Sequence, residues 1–216
     1  MNIKTFKILS LLMLYPTVSL KELVDESIVY IKDENLISEQ CVVGLENLTK
    51  YIKKMDLLTL QEQYVNLFDR VPANSLHLFE HVHGVSNERG EAMFSLIQRY
   101  EEIGLFLNSN ELPDYLPVFL EYLSLLSIKE ASELLSEPIT IIAILAERLK
   151  KRSSYYAALF DALVSISKVK PDQKQVEVAI IARESGNNVV SKELDEKWVE
   201  KPAFGTVPID RGAYGV

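Results

Sequence analysis

Three imidazoles lie within seven positions: His77, His81 and His83, in the stretch SLHLFEHVHGVSNERGEAM (residues 75–93) of a 216-residue chain that has no other histidine. Imidazoles can ligate metals, move protons near neutral pH or offer directional hydrogen bonds. His77 and His81 are four apart, which on a helix places them on one face at the spacing zinc sites use. His83 follows two positions later, on the far side of a continuous helix. Coordination by all three therefore requires the helix to stop directly after His81. Gly84 can end it in the left-handed conformation. Ser86 can cap the next helix, with Glu88 in its first turn. The stretch thus reads as a helix, a tight corner and a second helix from about Asn87. Three readings stay open: a metal site, a purely structural corner, or a surface on which the histidines and Arg89 present donors to a partner.

Other chemistry is sparse. Glu80 beside His81, or Glu121, could do acid–base work, but no spacing demands it. Glu80 directly precedes His81, so the HExxH arrangement of zinc proteases is missing. There is no GxSxG, no glycine-rich phosphate loop and no cysteine close to a histidine. Cys41 is the only cysteine, which excludes an intrachain disulfide and a cysteine-based zinc site. A second patch, NELPDYLPVFLEYLS (residues 110–124), combines Pro113 and Pro117 with Asp114 and the aromatics Tyr115, Phe119 and Tyr122. Proline is tolerated near a helix start, and Asp114 is favoured at its positive end. The patch reads either as a capped core helix or as one wall of a groove that takes an amphipathic helix.

The elements that must position these residues are helical almost throughout. Leu20, Val24, Ile28 and Ile31 step by about one turn; so do Cys41, Leu45, Leu48, Ile52 and Met55, and Met93, Leu96, Ile97, Tyr100 and Ile103. Further stripes run through Tyr64, Leu67 and Phe68, through Leu116, Leu120, Leu123 and Leu126, through Leu145 and Leu149, and through Tyr156, Leu159, Phe160 and Leu163. Ser19 with Glu22, Thr59 with Glu62 and Ser127 with Glu130 have capping-box spacing, and Ser136 and Ser153 stand where further caps would serve. Only QVEVAII (175–181) could alternate as a strand, and it reads equally as a late helix. The expected fold is all-α: one domain over residues 1–184, a bundle of about eight to ten helices. From about Ser185 the apolar rhythm fades into a segment rich in proline and glycine. Residues 185–216 are expected to be a flexible tail without its own core, carrying Trp198.

A net charge of −8, with 48% hydrophobic and 25% charged residues, describes an ordinary soluble globular protein and argues against a nucleic-acid binder. ILSLLMLY near the start is interrupted by Ser10 and reads as an amphipathic helix ending near Pro16 rather than a signal peptide. ITIIAILA (139–146) is far too short to span a bilayer. The expected location is the cytoplasm, with no membrane insertion.

Several segments together resemble a known family. LQEQYVNLFDR (60–70), the histidine stretch and NELPDYLPVFLEYLS look like the signature blocks of the nitrate reductase delta subunit, the molybdenum-cofactor assembly chaperone of respiratory nitrate reductase. FKILSLLMLYP (6–16) is similar to the family's opening helix, and DEKWVEKPAFG (195–205) is a weaker echo. The family usually reads His-Gly-Glu-Ser-Arg-Asp-Arg-Gly where this chain has His83-Gly84-Val85-Ser86-Asn87-Glu88-Arg89-Gly90. An acid is replaced by Val85 and a base by Asn87, so contact detail at a partner is expected to differ.

The resemblance implies a dedicated cytoplasmic chaperone and not an enzyme. It would bind the N-terminal segment of the apo catalytic (alpha) subunit, keep it ready for molybdenum cofactor insertion and delay membrane docking. No cofactor of its own is expected. The implied mode is helix-in-groove capture, with apolar side chains supplying affinity and His81, His83, Arg89 and Asp114 fixing orientation at the rim. The expected partner-binding set is Tyr64, Phe68, His77, Glu80, His81, His83, Arg89, Asp114, Tyr115, Pro117 and Glu121. Two rival readings are a metal-dependent enzyme using His77, His81 and His83, and a carrier that holds the molybdenum cofactor itself.

Overall fold

The structure is a computed structural model; it describes residues 3–81, 87–108 and 111–184, without the side chains of 87–88 and 182–184. Among the described residues there are ten α-helices: α1 (Lys4–Leu12), α2 (Val18–Glu34), α3 (Glu39–Lys54), α4 (Leu57–Tyr64), α5 (Asn87–Glu102), α6 (Leu116–Leu125), α7 (Ile128–Leu135), α8 (Ile139–Lys151), α9 (Ala157–Ile166) and α10 (Gln173–Glu184). A π turn (Val65–Asp69) extends α4, and short 3₁₀ turns occupy Pro72–Asn74 and Leu78–His81. The all-α expectation holds, and QVEVAII lies in α10. The expected tail, residues 185–216 with Trp198, falls outside the described residues.

The stripes of α2 and α3 bury as their spacing demands, whereas Ile103, the last of the Met93–Ile103 stripe, lies past the end of α5 and is exposed. Leu20, Val24, Ile28 and Ile31 of α2, and Leu45, Leu48 and Ile52 of α3, all face inward. The run Ile139–Ala146 is buried on every side. Ile142 and Leu145 join the main core, while Ala143 and Ile144 receive Val176 and Ala179 of α10. α1 lies along α6, tied by the Ser10 hydroxyl donating to the Pro117 carbonyl at 2.7 Å and by the Ile3 amide donating to the Ser124 carbonyl at 2.8 Å. α3 approaches α9 closely at Gly44, where an added Cβ would lie 3.2 Å from the Ala158 Cβ.

The helix starts divide between local and distant caps. Ser127 and Glu130 form the expected capping box. α2 is capped by Thr17, which accepts from the Leu20 amide at 3.2 Å, and not by Ser19. Thr17 follows Pro16 directly, so an extended backbone and an acceptor are already present two residues earlier. α4 is capped by Asp56, accepting from the Thr59 amide at 3.0 Å, and not by Thr59. Ser136 is the C-cap of α7, its hydroxyl donating to the Ser132 carbonyl, and Ser153 takes a left-handed φ of 51° after α8, so neither is the N-cap expected of it. The first amides of α1 have no local cap. Both oxygens of Glu34, the last residue of α2, accept there, from Lys4 and Thr5, at 2.7 Å each. A carboxylate is well placed at that positive end.

Candidate functional site

Residues 75–81 do not form the α-helix that the His77–His81 spacing suggests. His77 and Tyr115 make an isolated antiparallel bridge: the Leu78 amide donates to the Asp114 carbonyl at 3.0 Å and the Leu116 amide to the Leu76 carbonyl at 2.8 Å. The Asp114 carboxylate accepts the Phe79 amide at 3.0 Å. Amides that a helix would have paired locally are thus satisfied by a segment distant in the chain, and only the 3₁₀ turn Leu78–His81 remains of the expected helix.

The two described histidines therefore point to different partners. The His77 ring meets the Asp114 carboxylate at 3.3 Å and packs on Tyr115, with centroids 5.1 Å apart. Its pKa is raised, first by the hydrogen bond to Asp114. The His81 ring meets the Ser75 carbonyl at 2.9 Å, which fixes the Nε2–H tautomer, and burial pushes its pKa down. No group of three His, Cys, Asp or Glu residues placed to hold a metal ion occurs among the described residues. His83 lies outside the described residues, as do Gly84, Val85 and Ser86. The second helix does begin at Asn87.

Asp114 is wholly buried, so it is a strut inside the corner and not an orienting group at a rim. The other residues of the expected set divide by depth. Tyr64, Phe68 and Pro117 are core residues. Tyr64 donates to the Met13 carbonyl at 2.8 Å and packs against Tyr15, Phe68 and Tyr156. Phe119 and Tyr122 are buried as well, so α6 is a core helix and not a groove wall; its start has no side-chain cap, and the Leu116 amide goes to the Leu76 carbonyl. Tyr115, His77, His81 and Arg89 are partly exposed, and Glu80 is exposed. Glu121 is partly exposed and pairs with Lys7 of α1.

The open apolar groove lies elsewhere, between α1 and α2. It measures about 310 Å³ and is lined by Leu11, Leu12, Tyr15, Leu20, Leu23 and Tyr30 among others, with Glu26 the one charged side chain in its lining among the described residues. Leu14, Tyr15, Val18, Leu23 and Tyr30 stand exposed along it or beside it. Exposed apolar clusters of this kind mark interaction sites. The signal available in the sequence was the set of apolar residues in α1 and α2 that fall off the buried stripe. Tyr15 connects the groove to the corner: its ring meets Tyr64 edge-on at 5.6 Å, and the Tyr64 hydroxyl interacts with that of Tyr115, whose ring covers His77.

The described residues thus form a helical bundle with an open apolar groove and a polar corner beside it. The chain belongs to the nitrate reductase delta subunit family, whose model matches residues 35–162. It is 40% identical over 194 residues to the nitrate reductase molybdenum cofactor assembly chaperone NarJ of Escherichia coli (strain K12), covering 90% of this chain and 81% of that one. The probable chaperone NarW of the same organism is 36% identical, over 90% of this chain and 80% of its own length. The probable NarJ of Bacillus subtilis (strain 168) is 29% identical, over 82% of this chain and 96% of its own. No helix among the described residues is long and apolar enough to cross a membrane.

Proposed function

We propose that this protein is the dedicated chaperone of a respiratory nitrate reductase. It binds the N-terminal segment of the apo catalytic subunit in the cytoplasm, holds that subunit open for molybdenum cofactor insertion, and releases it for membrane attachment afterwards. It acts by binding and carries out no reaction of its own. The observation that carries this reading is the α1–α2 groove, apolar along its length and joined through Tyr15 and Tyr64 to the His77–Asp114 corner. An amphipathic helix would lay its apolar face between Leu11, Leu23 and Tyr30. Glu26 would meet a basic residue of that helix, and His77, Glu80, His81 and Arg89 would orient the end of the segment nearest the corner.

The test is calorimetry with a synthetic peptide copying the N-terminus of the cognate reductase subunit. Saturable binding that is weakened by Leu23→Glu, and separately by His77→Ala, supports the proposal. Absence of heat at high micromolar peptide contradicts it. Elemental analysis of untagged protein addresses the rival metalloenzyme: stoichiometric zinc, iron or manganese would favour that reading instead.

A further inference from the structure

A second hollow, an open cleft of about 370 Å³, is lined by α3, the end of α4 with the π turn after it, and the turn between α8 and α9, and its chemistry is unlike that of the apolar groove. Two tyrosines on its wall, Tyr51 and Tyr155, stack with centroids 4.7 Å apart and planes at 26°. Tyr155 is 50% exposed, so it offers ring surface to an incoming plane. Gln63 contributes an amide that can both donate and accept. Arg152 stands at the edge of the hollow with a guanidinium that pairs with no acid among the described residues. Lys150, in the neighbouring hollow, is already held by Asp161 at 2.7 Å and Glu147 at 2.9 Å.

Tyr156 lines the hollow from the inside. Its ring is clamped edge-on by Phe68, at 5.4 Å, and Tyr64, and the residue is only 2% exposed. Its hydroxyl meets no hydrogen-bond partner among the described residues. Buried phenols ordinarily find a partner, because an unmet donor keeps the full cost of its desolvation. Tyr156 therefore brings a buried phenol with an unmet hydroxyl to the lining of a cleft that already offers a stacking platform and an uncommitted cation.

We propose that this cleft binds a planar heteroaromatic anion of the nucleoside monophosphate class. The heterocycle lies on Tyr155 against the Tyr51 stack, Gln63 and the Tyr156 hydroxyl read its polar edge, and Arg152 pairs with the phosphate. The volume suits a small molecule, and the acidic chain disfavours a polymeric nucleic acid. The assignment is independent of the peptide groove, which shares none of these residues.

The experiment is calorimetry and saturation-transfer NMR on the full chain, with guanosine and adenosine monophosphates, the two parent nucleosides and inorganic phosphate as separate probes. The nucleotides are expected to saturate in the micromolar to millimolar range, with the nucleosides weaker. Tyr155→Ala should weaken nucleotide binding roughly tenfold or more, and Tyr155→Phe should restore it. Arg152→Ala should reduce the nucleotide to the level of its nucleoside. Tyr156→Phe should weaken binding without lowering the thermal midpoint of the free protein, since it removes a hydroxyl that nothing in the fold uses. Any of three results overturns the proposal: no saturation at millimolar nucleotide, inorganic phosphate binding as well as the nucleotide, or unchanged binding in Tyr155→Ala. Peptide binding in the α1–α2 groove should be unaffected by Arg152→Ala, which separates this site from that one.

Discussion

The Asp114 carboxylate, with no solvent exposure, holds the Phe79 amide at 3.0 Å and the His77 ring at 3.3 Å. One buried acid thereby fixes both the backbone path and the imidazole of the corner. Truncation should expose how much depends on it. Asp114→Ala leaves a buried amide unmet and removes the partner of His77, and should cost about 2–4 kcal/mol in urea unfolding. Asp114→Asn keeps one acceptor oxygen for Phe79 and should cost about 1 kcal/mol. Equal losses for the two variants would contradict the role given to the backbone hydrogen bond.

The midpoints of the two described histidines should be displaced in opposite directions from the free-imidazole value. His77 is held up by its hydrogen bond to Asp114, so its contribution to stability is fully present below the free-imidazole value of about 6.5 and is lost as pH rises through its folded pKa. His81 is held down by burial, so its contribution is present above about 6.5 and is lost as pH falls through its folded pKa. Histidine Cε1 proton resonances should show one midpoint above and one below the free value. Asp114→Asn should move only the upper one down. Two unshifted midpoints would be incompatible with this geometry.

Glu137, at the α7–α8 junction, is partly buried, and its Oε2 has no hydrogen-bond partner among the described residues. Burial pushes its pKa up to about 7. A carboxyl raised in this way favours the folded state while protonated, so the fold loses stability as pH rises from the ordinary carboxylate range through about 7. Glu137→Gln should raise the thermal midpoint above that pH and leave it nearly unchanged well below the ordinary carboxylate range. A lower midpoint for the variant at alkaline pH would contradict the assignment.

Gly44 marks the closest approach of α3 to α9. In Gly44→Ala the gain in helix propensity, about 1 kcal/mol, is offset by crowding against Ala158, so chemical denaturation should find it close to neutral. Gly44→Val adds two methyl groups to that contact and should cost about 1–3 kcal/mol. A neutral Gly44→Val would mean that the helices separate more easily than their contact implies.

The sequence disclosed what periodicity and short-range chemistry control. The stripes of α2 and α3, the Ser127–Glu130 box and the buried run Ile139–Ala146 are all local patterns. Thr17 and Asp56 displaced the expected caps because several hydroxyls and acids compete near each helix start, and the spacing rule does not rank them. The corner failed as a helix because the acceptor for the Phe79 amide is a carboxylate on a distant segment, and no local window contains it. The aromatics of residues 110–124 were read as either core or groove: Phe119 and Tyr122 became core, Tyr122 against Tyr100 of α5, while Tyr115 stays partly exposed over His77. The groove itself was invisible for a related reason. A stripe marks which residues of one helix are buried, but Leu11 and Leu23 form a groove only because α1 and α2 bring their leftover apolar positions face to face. Family resemblance located the histidine stretch as a landmark but could not say that His77 and His81 turn toward different partners.

Under the proposed function, the α1–α2 groove captures the N-terminal segment of the apo reductase subunit. The most direct test is calorimetry of that peptide against the wild-type chain and Leu23→Glu, with thermal unfolding run in parallel. Leu23 is 52% exposed, so the substitution should leave the thermal midpoint nearly unchanged. Peptide affinity should fall by roughly thirtyfold or more, as expected when an anchor of a binding groove is replaced by a charge. Undiminished affinity in a folded Leu23→Glu protein would contradict the account.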